Sequence, residues 1–230
     1  MELYSLHTMN GQAGLIEEVK VCLDENVDST ALALLGDTDT LKVDEIIRSK
    51  VEDAARLVHE RAAHHLLDSG VDLGITDQQI TRVGDWVNDY VAAVGPLPDD
   101  FLRLVTFRLQ GWAYPVTDVI TEESPLYMMQ SSRFGGVRGN PERPVVALTH
   151  QGDTMSLELY SCSPNVAPHI QKATYIPVPT INAEGKILLC PKLKRAVEYR
   201  IASMTAAIIG ASEQAAMLLG QSNELAGIES

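Results

Sequence analysis

The sequence predicts an α+β protein: a helical N-terminal bundle plus a long C-terminal helix, with an intervening antiparallel β region. Three observations carry this reading. Apolar residues recur at helical spacing within residues 1–94. Residues 95–191 are rich in Pro, Gly and β-branched residues, set out as short apolar runs between turn signals. Residues 192–220 hold the most regular heptad pattern of the chain. The expected organisation is therefore a helical core from 1–94 with 192–220, a β-rich insertion at 95–191, and a flexible tail at 221–230.

The first helix is expected at 14–23, where Leu15, Ile16, Val19, Cys22 and Leu23 share a face. A second is expected at 43–68. There Ile47, Val51, Ala54, Val58 and Ala62 form one apolar stripe, Asp44 and Glu45 sit in the first turn where the helix dipole favours negative charge, and Gly70 offers a stop. A third helical piece is expected at 77–94, weakened by Gly84. Gly95-Pro96-Leu97-Pro98 then marks a rigid turn, and Leu102, Leu104, Phe107 and Leu109 alternate with Arg103 and Arg108 as in a strand at 101–109. Further strands are expected at 144–149, 156–162, 173–178 and 186–189. In the C-terminal helix, Val197, Ile201, Met204, Ile208, Ala211, Ala215 and Leu218 recur at alternating steps of four and three, the seam of a helix packed lengthwise on another. That seam fits either the helix at 43–68 or a neighbouring subunit. Ala202, Ala206, Ala207, Gly210, Ala216 and Gly220 offer a second close-packing face, so both contacts are compatible.

The 230 residues carry a net charge of −13, unevenly placed. Residues 1–90 hold 18 acids against 7 bases, residues 91–200 hold 10 against 11, and the last thirty hold 3 acids and no base. Such a chain gains nothing from the counterion release that drives nucleic-acid binding. Two readings remain open: a solvated surface, or one that sits beside DNA or an acidic partner without adhering to it. No apolar run is long enough for a membrane span, and the start, Met1-Glu2-Leu3-Tyr4-Ser5-Leu6-His7, lacks the features of a secretory leader. Three scattered cysteines predict neither a disulfide framework nor a cysteine zinc site.

Chemistry is sparse. His59-Glu60-Arg61-Ala62-Ala63-His64 approximates a helical zinc motif with one residue too many, so the two imidazoles point apart and read as polar groups on a solvated face. Gly135-Gly136-Val137-Arg138-Gly139-Asn140-Pro141 lacks the context of a phosphate loop. Arg133, Arg138 and Arg143 cluster there, either as a basic loop for an acidic partner or as a solvated turn. No nucleophile elbow is present, and Cys162 and Cys190 lie in apolar runs that predict buried, inert thiols. The expectation is a protein that is not an enzyme, with no catalytic, cofactor-binding or metal residues.

Several strings, taken in order, carry a resemblance. They are Asp24-Glu25-Asn26, Thr40-Leu41-Lys42-Val43-Asp44-Glu45-Ile46-Ile47-Arg48-Ser49-Lys50-Val51, Asp53-Ala54-Ala55-Arg56-Leu57-Val58, and His65-Leu66-Leu67-Asp68. Farther on come Leu97-Pro98-Asp99-Asp100-Phe101-Leu102-Arg103-Leu104-Val105, Gly136-Val137-Arg138-Gly139-Asn140-Pro141 and Leu159-Tyr160-Ser161-Cys162. Together they resemble a neck structural protein of crAss-like tailed phages of Bacteroidetes, and the plan resembles head–tail connector (adaptor) proteins. The resemblance implies a ring of about twelve copies matched to the portal. It implies contacts with the portal and with further neck or tail proteins, and a channel through which DNA passes without specific binding. It implies no catalytic residue, no cofactor and no membrane, with assembly in the bacterial host cytoplasm and a final place in the virion neck. Two other readings compete: a tail-completion or tail-terminator protein, and a soluble enzyme with an unrecognised site.

Overall fold

The computed structural model describes residues 1–9, 11, 13–26, 43–85, 89–152 and 154–228. Residues 40–42, which belong to the strings that carry the resemblance, and residues 229–230 of the expected tail lie outside the described residues. The chain divides into two compact units, Met1–Asp68 with Val178–Ser230, and Ser69–Pro177. The β-rich unit is thus inserted at 69–177, against the 95–191 read from composition.

The first unit begins with strand β1 (Glu2–Ser5). It pairs antiparallel with β10 (Lys186–Leu189), in the register Glu2 to Leu189 and Ser5 to Lys186. The turn entering β10 is set by Asn182, whose side-chain oxygen accepts the N–H groups of Glu184 and Lys186 at 3.0 and 2.9 Å. Helix α1 (Leu15–Asn26) follows Gly14, where an added Cβ would lie 2.4 Å from the His7 carbonyl carbon, so only glycine admits this close approach. Helix α2 (Val43–Arg61) buries Ile46, Ile47, Val51, Ala54, Ala55 and Val58, the face its periodicity predicts.

The C-terminal segment is not one helix. After the short helix α3 (Pro125–Met129) of the second unit, it forms α4 (Lys194–Ile208) and α5 (Ser212–Ala226). Gly210 ends α4 with φ of 87°, as Gly210 N–H bonds Ala207 O and Ala211 N–H bonds Ala206 O. This is the paired-bond pattern of a Schellman stop. The same pattern recurs at Gly227 (φ 63°), with Gly227 N–H to Glu224 O and Ile228 N–H to Asn223 O. The two helices then fold back antiparallel. Ser203 Oγ donates to Ala215 O at 2.7 Å and Ser222 Oγ to Ala196 O at 2.8 Å, which places the two helices side by side. The heptad therefore reflects a hairpin, and residues 221–226 of the expected tail are its last turns.

The second unit is made of two sheets. Strands β2 (Val71–Asp72), β9 (Ile170–Pro177) and β5 (Phe101–Leu109) form one, in the order β2-β9-β5. Strands β3 (Ile80–Asp85), β4 (Tyr90–Val94), β8 (Thr154–Cys162), β7 (Val145–Gln151) and β6 (Ile120–Thr121) form the other, in that order and antiparallel except for β6 on β7. Both sheets share a core in which Val94, Leu104, Phe107, Trp112, Leu157, Leu159 and Tyr175 are buried. Phe101 stacks on Tyr175 with ring centres 5.6 Å apart.

These elements correct the expected fold class. Residues 1–94 are not a helical bundle: β1, β2, β3 and β4 all lie in that stretch, and most of the described elements are strands. The helix expected at 77–94 fails for a physical reason. Every residue of β4 is buried, with Ala92 and Val94 in the inter-sheet core and Val91 in a second cluster on the opposite face with Ala147 and Tyr160. A strand covered on both faces loses the polar–apolar alternation by which strands are recognised. No helix among the described residues is long and apolar enough to cross a membrane.

Candidate functional site

The segment between β6 and β7 is built around a short helix, α3 (Pro125–Met129). Ser124 caps it, its Oγ accepting Leu126 N–H at 3.3 Å, and Pro125 fills the first turn, where no N–H is needed. Polar side chains then tie the loop together from inside. Buried Gln130 donates through Nε2 to Leu126 O at 2.9 Å and accepts Gly139 N–H at 2.7 Å through Oε1. Buried Arg138 grips Asp89 in a fork, Nη1 to Oδ2 and Nη2 to Oδ1, each at 2.6 Å. Asn140 bonds Gly135 O through Nδ2, while its Oδ1 accepts the N–H groups of Glu142 and Arg143. Gly139 is packed so closely that a Cβ would lie 2.9 Å from that of Val145.

The apolar side chains of this segment point the other way. Met128 is 77% exposed and Phe134 60%, with Leu126, Met129 and Val137 also exposed. Tyr127 alone turns inward, meeting Tyr160 edge-on at 6.5 Å; both hydroxyls donate to Glu158 Oε2, at 3.2 and 2.6 Å. Burial, reinforced by the Glu158 carboxylate, pushes the Tyr160 phenol well above its ordinary range, so it stays protonated. Val83, Val91, Met128, Tyr127 and Tyr160 line an open groove of about 430 Å³ beside α3.

The three arginines are therefore not equivalent. Arg138 is buried on Asp89 and is a structural clamp, whereas Arg133 and Arg143 are exposed, Arg133 lying 5.0 Å over the Phe134 ring. The periodic residues of the C-terminus are also divided. Val197, Ile201, Ala215 and Leu218 are buried in the first unit, Met204 and Ala211 are half-buried, and Ile208 is exposed. Sequence reading drew attention to the basic residues of the loop but missed its apolar ones. The signal was present: residues 124–141 contain no carboxylate yet hold Leu126, Met128, Met129, Phe134 and Val137.

Other chemistry-bearing groups are locked into the fold. His59 does not face solvent; it is buried, its Nδ1 bonded to Ala55 O at 2.7 Å and its Nε2 accepting Cys190 N–H at 3.0 Å. This bonding calls for the neutral ring, and burial holds its pKa below the ordinary value. Lys194 bonds Glu18 at 2.6 Å and reaches Glu198 at 3.5 Å, beside a cavity of about 570 Å³ that Glu2, Tyr4 and Leu15 help to line. Tyr4 is pushed up to about 12, first by burial and then by its bond to Glu2. Burial raises Cys162 to about 12 and raises Cys190 as well, so neither supplies a thiolate near neutrality. Among the described residues, no three His, Cys, Asp or Glu side chains gather as a metal site would require. No protein-family model and no curated protein matches this chain.

Proposed function

We propose that the chain is a virion structural protein: one copy of a ring in a phage neck, between portal and tail, forming part of the conduit through which DNA passes. On this reading it turns over no substrate, its partners are its own copies, the portal and further neck or tail proteins, and it holds the duplex through no specific contact. The observation that carries the proposal is the outward apolar loop at 124–141. A rigid segment with polar groups inside and Met128 and Phe134 in water is costly for a free monomer and ordinary for an assembly subunit. The first unit supports it with a different exposed apolar set, Ile208, Met217 and Leu225. Closed rings are made by head-to-tail contacts, which need two unlike patches on each copy. The acidic balance is a third support, since a basic channel wall would retain moving DNA.

Quantitative mass spectrometry of purified phage particles tests this. The expected result is a fixed molar ratio to the portal protein. Absence of the chain from particles overturns the proposal.

A further inference from the structure

Two exposed surfaces of the chain are complementary in charge. The first is the loop. Residues 124–141 contain Arg133 and Arg138 and no acid, within a chain that holds 31 acids. Asp89 neutralises Arg138, so Arg133 is the exposed cation of an apolar patch made by Met128, Phe134 and Val137. The second is the outer face of α5. Glu213, Met217, Gly220 and Glu224 follow one another along one exposed helical stripe, with Arg195 of α4 beside Glu224 and no Lys or Arg on α5 itself. Nothing lies within 4 Å of where a Cβ would stand at Gly220, which leaves a shallow seat between Met217 and Glu224. One surface is apolar with a cation and the other is apolar beside the Glu213 carboxylate.

Resting on the ring-subunit reading above, we propose that the loop is the head-to-tail contact of the assembly: Met128 and Phe134 of one copy dock on the outer face of α5 of a second copy, with Arg133 meeting Glu213. The internal clamps of Gln130 and Arg138 give this contact its affinity. They hold the apolar side chains in the docking arrangement beforehand, so little conformational entropy is lost on association. The acid-free loop also cannot dock on another copy of itself without opposing arginine to arginine, which favours the unlike pairing a ring needs.

Sedimentation velocity on the full chain over a range of concentrations reads the contact. Wild type is expected to self-associate, and Met128→Asp with Phe134→Asp to weaken association roughly thirtyfold or more. The melting temperature should stay the same, because both side chains already lie in water. Arg133→Glu is expected to weaken association about tenfold. Mixing it with Glu213→Lys chains should restore the loss. Under mild oxidant, a Met128→Cys chain mixed with a Met217→Cys chain should form a disulfide between the two chains, since Cys22, Cys162 and Cys190 are buried and do not compete. Equal association of wild type and the double aspartate variant overturns this contact, whereas the ring reading stands or falls on particle content. Three other results also overturn the contact: no self-association of wild type at any concentration, disulfides formed only between like chains (Met128→Cys with Met128→Cys, or Met217→Cys with Met217→Cys), and recruitment to anionic phospholipid vesicles that depends on Phe134.

Discussion

Helix α2 and the 124–141 loop follow opposite rules. In α2, Ile47, Val51, Ala54 and Val58 are buried while Arg48, Glu52, Asp53 and Arg56 face water. In the loop, Gln130 and Arg138 are buried while Met128 and Phe134 face water. The first arrangement lowers the free energy of the chain on its own. The second raises it, and it persists because hydrogen bonds, rather than apolar burial, hold the loop. A segment stabilised from inside by polar groups is free to present its apolar surface to a partner.

The largest effect is expected at the clamp. Asp89→Ala leaves the Arg138 guanidinium buried and uncompensated, and is expected to lower the stability of the second unit by about 3–5 kcal/mol in urea unfolding followed by tryptophan fluorescence. Replacing both partners, Asp89→Leu with Arg138→Met, should recover most of that loss; a double variant as unstable as the single one contradicts the clamp. Gln130→Leu is next, removing the acceptor of Gly139 N–H at an expected cost of about 1–3 kcal/mol in the same assay.

On the α2 side, His59 makes the first unit sensitive to acid. Its folded pKa lies below its unfolded value, so the stability it contributes is present above the unfolded value, near 6.5, and is lost as pH falls below it. The urea midpoint of that unit should drop between pH 7.5 and 5, and His59→Leu should flatten this slope while being less stable at pH 7.5, because Cys190 N–H loses its acceptor. An unchanged slope in the variant contradicts the neutral, buried imidazole. Smallest is Met128→Ser, expected to change stability by no more than about 0.5 kcal/mol. A larger loss would mean that Met128 packs within its own chain.

Legibility in the sequence divides along the same line. The core face of α2 and the strand β5 could be read because each has a buried face and a more accessible one, wet in α2 and half-buried in β5, so the pattern of Ile47, Val51 and Ala54, or of Leu104, Phe107 and Leu109, reports burial directly. β4 could not, because Tyr90–Val94 is dry on both faces. The C-terminal hairpin was hidden for another reason. Its heptad continues across Gly210, and a repeat of this kind says only that a helix has a partner, which here is the other half of the same segment. Ala215 lies inside that hairpin, so bulk there tests folding, not assembly. His59 was misread because spacing places a ring around the helix axis but does not show which neighbour covers it. The loop was legible only as a basic cluster; that its arginines differ follows from Asp89, 49 residues away in the chain.

The central claim is that the exposed loop is covered in the assembled particle. Oxidation of Met128 by peroxide, quantified by mass spectrometry in the isolated chain and in purified particles, measures this directly. Rapid oxidation in the isolated chain and strong protection in particles is the predicted result. Equal oxidation in both states contradicts the account.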